Sequence, residues 1–218
     1  MDTQKRIVIW ASAVLIIGII AVGAWSIATG PTTTPINNNG LLSEEVTASD
    51  WTKGAQNPKV TLVEYSDFQC PACAAYFEMV EQAVTEYDDR LSFTYRHFPL
   101  AQHKNAQSAS YASEAAGKQG KFWEMHKMIF EQQADWAEKN NASEIFKGYA
   151  QELKLDLARY ATDVASTEIK DAVSHDRDTG LRSGVDSTPS FYLNGKKMQN
   201  PRSYDELKAL IEFAIVNG

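Results

Sequence analysis

The sequence predicts one α/β domain standing behind a single membrane-crossing helix. Three observations predict it. Residues 7–28 form an apolar run without a charge, residues 59–98 read as strand, helix, strand, and the chain closes on a hairpin and an amphipathic helix after a long helical middle. The order β-α-β, helices, β-β-α is that of an α/β sheet with a helical insertion between its two halves. Apolar residues make up 44% of the 218 and charged residues 22%, a globular balance. The net charge of −7 offers no basic field to a nucleic acid, which removes that class of partner.

The apolar run is long enough for a bilayer, since about 20 residues cross the hydrocarbon core as a helix. Trp10 and Trp25 stand near its ends, where aromatic belts form. Lys5 and Arg6 precede it, whereas Glu44 and Glu45 follow. The positive-inside rule therefore expects residues 1–6 in the cytoplasm and residues 29–218 outside it. The rival reading is a cleaved signal peptide, with Ser26-Ile27-Ala28 as a small-residue cleavage site, although signal cores usually run about 7–15 residues. Both readings export the domain. Residues 29–49 are rich in Thr, Asn, Pro and Gly and read as a flexible linker, leaving residues 50–218 for the domain. The alternative for the end of the linker is that Leu41, Leu42 and Val46 dock on the domain as a short strand.

Within the domain, Val60, Leu62, Val63 and Tyr65 mark a buried strand. Phe77, Val80, Val84 and Tyr87 then recur at three- and four-residue steps, the signature of one apolar helix face, with Pro71 suited to its first turn. Leu91, Phe93, Tyr95 and His97 alternate as a second strand, and strand–helix–strand implies a parallel pair with a right-handed crossover. Residues 105–184 read as helical. Ala109, Ala112 and Ala116 form a small-residue stripe, Phe122, Trp123, His126, Ile129 and Phe130 a strong face, and His126 is expected as a hydrogen-bonded core histidine. Ile145, Tyr149 and Leu153 begin another helix, and Tyr160, Val164 and Val173 a further one. Residues 190–193 and 196–199 flank Asn194-Gly195, a strong hairpin signal. Leu207, Leu210, Ile211 and Ala214 give the closing helix.

The chemistry rests on Cys70-Pro71-Ala72-Cys73, which holds both cysteines of the chain. A structural disulfide framework needs more cysteines at wider spacing. The pair falls at a strand-to-helix junction, where free N–H groups and the helix dipole favour an anion. Cys70 is therefore expected as an exposed thiol of lowered pKa, and Cys73, one turn inside the helix, as its shielded partner. Such a pair exchanges disulfides through a mixed-disulfide intermediate. A zinc site would need two further ligands, and His97, His103, His126 and His175 form no close pair, so no metal and no cofactor are expected.

Three segments carry a resemblance. EYSDFQCPAC (Glu64 to Cys73), RHFPL (Arg96 to Leu100) and STPSFYLNG (Ser187 to Gly195) resemble, in the same order, the DsbA-like family of thioredoxin-fold proteins. The resemblance implies a thioredoxin-like fold with the helical insertion between its βαβ and ββα halves, and a cis peptide bond at Thr188-Pro189 before the third core strand. It implies that Pro189 lies against Cys70, that Thr188 presents backbone groups to a bound cysteine peptide, and that Glu64 is a buried acid moving protons near Cys73. A solvated Glu on a half-wet strand is the alternative for that last residue. The most oxidising relatives carry His where this chain has Ala72, which leaves the oxidising strength open.

The function implied is a thiol–disulfide oxidoreductase outside the cytoplasm, first an oxidase of exported cysteine-containing proteins, reoxidised by a quinone-linked membrane partner. A reductase or isomerase with the same cysteines is the alternative, and a redox-inert peptide-binding module the third. The anchor makes a tethered monomer the expectation.

Overall fold

The computed structural model describes residues 40–217. The expected anchor at 7–28, the segment before it and residues 29–39 of the linker lie outside the described residues. Among the described residues no helix is long and apolar enough to cross a membrane.

Five strands form one sheet in the order β1-β3-β2-β4-β5: β1 (Trp51–Gly54), β2 (Val60–Ser66), β3 (Leu91–His97), β4 (Ser190–Leu193) and β5 (Lys196–Lys197). The parallel pair is β2 and β3, in register from Val60 opposite Leu91 to Ser66 opposite His97. Helix α1 (Pro71–Glu86) makes the crossover between them. Between β3 and β4 come α2 (Ala106–Gly117), α3 (Phe122–Glu131), α4 (Gln133–Trp136), α5 (Ala142–Glu152), α6 (Leu157–Ala165) and α7 (Thr167–Ser183), and α8 (Tyr204–Asn217) ends the chain. This is the thioredoxin-like α/β fold with its helical insertion.

The two-residue period of β2 divides the core. Leu62 on one face joins the large cluster with Phe77 and Val80 of α1, Ile211 of α8 and Phe122, Met125 and Ile129 of α3. Val63 and Tyr65 on the other face join Phe98, Val185 and Tyr192. Helix α7 covers that second face: Thr179 Oγ1 lies 2.8 Å from the Tyr65 hydroxyl, and the Tyr192 hydroxyl donates to Ser183 O at 2.9 Å. The helical pattern from Tyr160 to Val173 proves to be two helices. They part at Ser166, whose extended backbone and side chain cap α7 through Ile169 N–H. In the hairpin, Asn194 and Gly195 both have positive φ, 47° and 77°, the conformation an Asn-Gly turn favours.

Helix α7 must approach the sheet closely at Gly180. A Cβ there would stand 2.7 and 2.9 Å from two ring carbons of Phe98 and 3.0 Å from Tyr65 Cδ1. Both rings are buried and cannot swing away. Overpacking costs about 1–3 kcal/mol, against about 1 kcal/mol of helix propensity gained. Gly180→Ala is expected to lower stability by up to about 2 kcal/mol net, read as a lower urea midpoint with an unchanged slope. An equal or higher midpoint would contradict this packing.

The linker reading needs correction over its last ten residues, where the docking alternative holds. Leu41 bridges Lys196, Leu42 N–H donates to Gly195 O at 2.9 Å, and Leu42 and Val46 pack on the second core cluster. The physical anchor is Arg96. Its guanidinium donates to both Asp50 carboxylate oxygens (2.7 and 3.2 Å), to the carbonyls of Glu44 (3.1 Å) and Glu45 (3.0 Å), and to the Tyr65 hydroxyl (2.9 Å). Strand β1 is a further addition. Trp51–Gly54 pairs antiparallel with β3, and the Trp51 ring stacks on Phe122 at 4.3 Å.

Candidate active site

The site forms where β2 runs into α1. Asp67 shapes the turn: its Oδ1 accepts from Gln69 N–H at 2.7 Å, and its backbone carbonyl accepts from Cys70 N–H at 3.0 Å. Its other oxygen takes Leu100 N–H (2.8 Å) and contacts His103 Nδ1 (2.7 Å). The turn delivers Cys70 in extended conformation to the N-cap, with Pro71 in the first turn of α1 as the sequence suggests. Helix α4 holds the same turn from the insertion, because Gln133 Nε2 donates to the carbonyls of Phe68 (2.6 Å) and Cys70 (3.0 Å).

Both thiols are free. Cys73 is fully buried, and Cys70 is 8% exposed, less open than a helix start implies. The reason is the Thr188–Pro189 loop. Its peptide bond is cis, and Cys70 Sγ lies 3.4 Å from Thr188 O. The two thiols are driven apart in acidity. Cys70 is lowered to about 5, first by the Cys73 thiol bonding to its sulfur, against the opposing cost of burial. Thr188 and the N–H groups of Cys73 and Ala72 at the helix start add to the lowering, so the helix terminus contributes less than the partner thiol. Cys73 is pushed well above the ordinary thiol range by burial, by its bond to Cys70 and by the Glu64 charge.

Glu64 is 3% exposed, which excludes the solvated alternative. Burial raises its pKa to about 7, opposed by Ser66 and Lys53. Its Oε1 has no hydrogen-bond partner among the described residues, nor have Ser66 Oγ and the Tyr95 hydroxyl on the same side of the sheet. Lys53 pairs with Glu81 and lies over the Trp123 ring at 4.4 Å.

The histidines fall out differently from expectation. His126 is in the core, ringed by Phe68, Tyr95, Trp123 and Phe130, yet neither ring nitrogen has a partner among the described residues. The rings packed around it bury the imidazole, and that burial pushes its pKa well below the ordinary value. His97 is fully buried at the end of β3, with Nε2 3.0 Å from Glu114 Oε1. Sequence reasoning missed Gln133, because a glutamine 63 residues from Cys70 carries no local signal. Asp67 was findable: an Asp two residues before a polar N–H is the Asx-turn pattern.

The fold and the paired thiols define a thioredoxin-like dithiol protein with DsbA-like architecture. A family model described as thioredoxin matches residues 47–213, and the chain belongs to that family. Among curated proteins it is similar to the Na(+)/H(+) antiporter NhaA 3 of Salinispora tropica, 32% identical over 170 residues, or 78% of this chain and 25% of the relative. The Na(+)/H(+) antiporter NhaA 1 of Salinispora arenicola is 34% identical over 166 residues, or 76% and 24%. The chain spans about a quarter of the length of these curated relatives. Among solved structures, oxidised BdbD from Bacillus subtilis superposes with a TM-score of 0.70 at 23% identity, over 82% of this chain and 100% of that one. Wolbachia pipientis α-DsbA1 gives 0.68 at 17% identity, over 79% and 94%. These two likenesses show the fold.

Proposed function

We propose that this chain is an extracytoplasmic thiol–disulfide oxidoreductase that oxidises cysteines of exported proteins. The observation that carries the reading is the split acidity of one buried pair, Cys70 lowered to about 5 and Cys73 raised. In the oxidised pair a substrate thiolate attacks Cys70 Sγ, the Cys70–Cys73 bond breaks, and Cys73 leaves as a thiolate. That buried anion takes a proton from the Glu64 carboxylic acid. A second substrate thiolate attacks the substrate sulfur of the mixed disulfide and expels Cys70, a good leaving group because its thiolate is stable. The products are a substrate disulfide and the dithiol enzyme. Reoxidation by a membrane redox partner requires Glu64 to take the proton back from Cys73. Thr188, whose carbonyl lies against Cys70, and Pro189 beside it are the surface on which the substrate cysteine is held.

In this reading residues 7–28 anchor the chain and residues 1–6 stay in the cytoplasm. The membrane setting rests on the uncharged run of residues 7–28, with Trp10 and Trp25 near its ends and Lys5 and Arg6 before it. A tethered monomer meets its substrates in an oxidising compartment. Ala72 favours a second reading, a reductase or isomerase, because it gives the Cys70 thiolate no side-chain donor. A cysteine-peptide oxidation assay set beside insulin reduction tests the two: faster oxidation supports the proposal, and faster insulin reduction overturns it.

The Glu64 role has its own test. A carboxyl group with pKa about 7 gives the enzyme-reoxidation rate an inflection near that pH. Glu64→Gln is expected to slow reoxidation by up to about 10²-fold and to remove the inflection, measured by stopped-flow fluorescence between pH 5 and 9. An inflection that survives the substitution assigns the proton to another group.

A further inference from the structure

A cavity of about 370 Å³ opens beside the active-site turn, between the β3–α2 connection, α2 and α7. Its walls include His103, Lys104, Lys170 and Arg177, and none of the described residues lining it is acidic. In a chain of net charge −7 this is a local reversal of sign. Lys170 and Arg177 stand seven residues apart on α7, two turns along one face, with Ser174 between them. Among the described residues neither has an ion-pair partner, and the Arg177 guanidinium lies 6.0 Å from the Phe98 ring centroid. Lys104 is held in place by Glu138, whose carbonyl accepts at 2.8 Å and whose carboxylate lies 3.8 Å away, so Lys170 and Arg177 are the cavity's cations left without a carboxylate among the described residues. Like charges gathered in one concavity oppose each other while it is empty and draw in an anion, because the cavity walls focus their field.

The cavity is wired to the dithiol. His103 lines it, and its Nδ1 lies 2.7 Å from Asp67 Oδ2. Asp67 in turn takes the Cys70 N–H on its carbonyl at 3.0 Å. His103, in the cavity wall, therefore sits two hydrogen bonds from the Cys70 backbone.

We propose that this cavity is an oxyanion-binding subsite, taking a carboxylate or phosphate group with Lys170, Arg177 and Lys104 as its cationic donors. On a polypeptide bound at Cys70 it receives an acidic side chain. That second statement rests on the proposed thiol–disulfide activity, whereas the subsite itself does not. The selectivity it gives is for acidic substrates, which the chain's overall negative charge would otherwise repel.

The test uses the full-length chain in two arms. Calorimetric titration with inorganic phosphate is expected to show binding that weakens at least about tenfold in Lys170→Gln/Arg177→Gln, the equivalent of about 1.4 kcal/mol. Lys170→Gln alone weakens it by a smaller factor, and Lys59→Gln/Lys196→Gln, outside the cavity, leaves it unchanged. No phosphate binding, or binding indifferent to the cavity substitutions, overturns the subsite. In the second arm, cysteine peptides that differ only by Glu or Gln are compared in exchange, and kcat/KM is expected to favour the Glu peptide about tenfold in the natural chain. The preference disappears in the double variant. Phosphate binding without peptide preference overturns the polypeptide role and leaves a site for small oxyanions. If neither peptide exchanges at all, the proposed activity fails while the phosphate arm still decides the subsite.

Discussion

Cys70→Ser is expected to reduce thiol–disulfide exchange to the uncatalysed background, while Cys73→Ser, which has no Cys70–Cys73 bond for a substrate thiolate to attack, keeps the reverse step. In that step the Cys70 thiolate attacks a substrate disulfide and expels one of its thiolates, and so the variant accumulates the mixed disulfide. The asymmetry follows from position. Cys70 is the thiol lowered to about 5, so at neutral pH it is ionised and nucleophilic. Cys73 is fully buried with its thiol pushed up, so it meets a substrate only after Cys70 has been opened. Non-reducing gels and mass spectrometry of the two variants read the difference directly. In the natural dithiol the alkylation rate of Cys70 should stay level from the ordinary thiol value of 9.0 downward and fall by half near about 5. In Cys73→Ser the half-point should move upward only in part, because the serine hydroxyl still donates a hydrogen bond, and Cys73→Ala should move it further. An unchanged half-point in Cys73→Ala would remove the partner thiol as the main cause.

Arg96→Met should cost about 3–5 kcal/mol of stability, the usual result of removing one partner from a buried ion pair. The Arg96 and Asp50 side chains are 3% and 8% exposed, and the substitution leaves the Asp50 carboxylate buried without its cation. Two carbonyls, of Glu44 and Glu45, lose their donor at the same time. Arg96→Lys should recover little, since an ammonium cannot reproduce the bidentate fork. The loss should be visible locally as faster protease cleavage between Glu44 and Asp50. If Arg96→Met unfolds at the same denaturant midpoint as the natural chain, the docking of this segment contributes nothing measurable.

The parts of the fold legible in the sequence were those written in local period and turn chemistry. The parallel β2–β3 pair followed from the apolar centre of one strand and the alternation of the next. The hairpin followed from Asn194-Gly195, and α1 from Pro71 and the spacing of Phe77 and Val80. Strand β1 was not legible, because WTKG is four residues long and becomes a strand only by pairing with β3. The docking of residues 40–49 was open for a related reason. Its cause, Arg96, lies about 50 residues away and reads in sequence as one charge at the end of a strand. At the site, the local CPAC motif and its strand gave Cys70 and Cys73, and the three family-like segments gave Glu64, Thr188 and Pro189. What escaped were the groups that hold the turn from a distance, Gln133 above all, and the balance of causes behind the Cys70 acidity. A helix terminus can be read from sequence, but the bond from Cys73 depends on how the first turn of α1 is wound.

The central claim, an oxidising dithiol, is tested most directly by its reduction potential. The potential rises as the folded protein stabilises the Cys70 thiolate relative to the disulfide, and about 30 mV corresponds to about 1.4 kcal/mol for this two-electron couple. In the proposed oxidase a thiol lowered to about 5 raises the potential above that of thioredoxin, and Ala72 in place of a side-chain donor keeps it short of the strongest oxidants. Equilibration of the full-length chain with glutathione should give a value in the upper half of the range from about −270 mV, typical of thioredoxin, to about −120 mV, typical of the strongest oxidant. Ala72→His should move it upward. A potential at or below about −270 mV would contradict the oxidase and establish the same cysteines as a reductase.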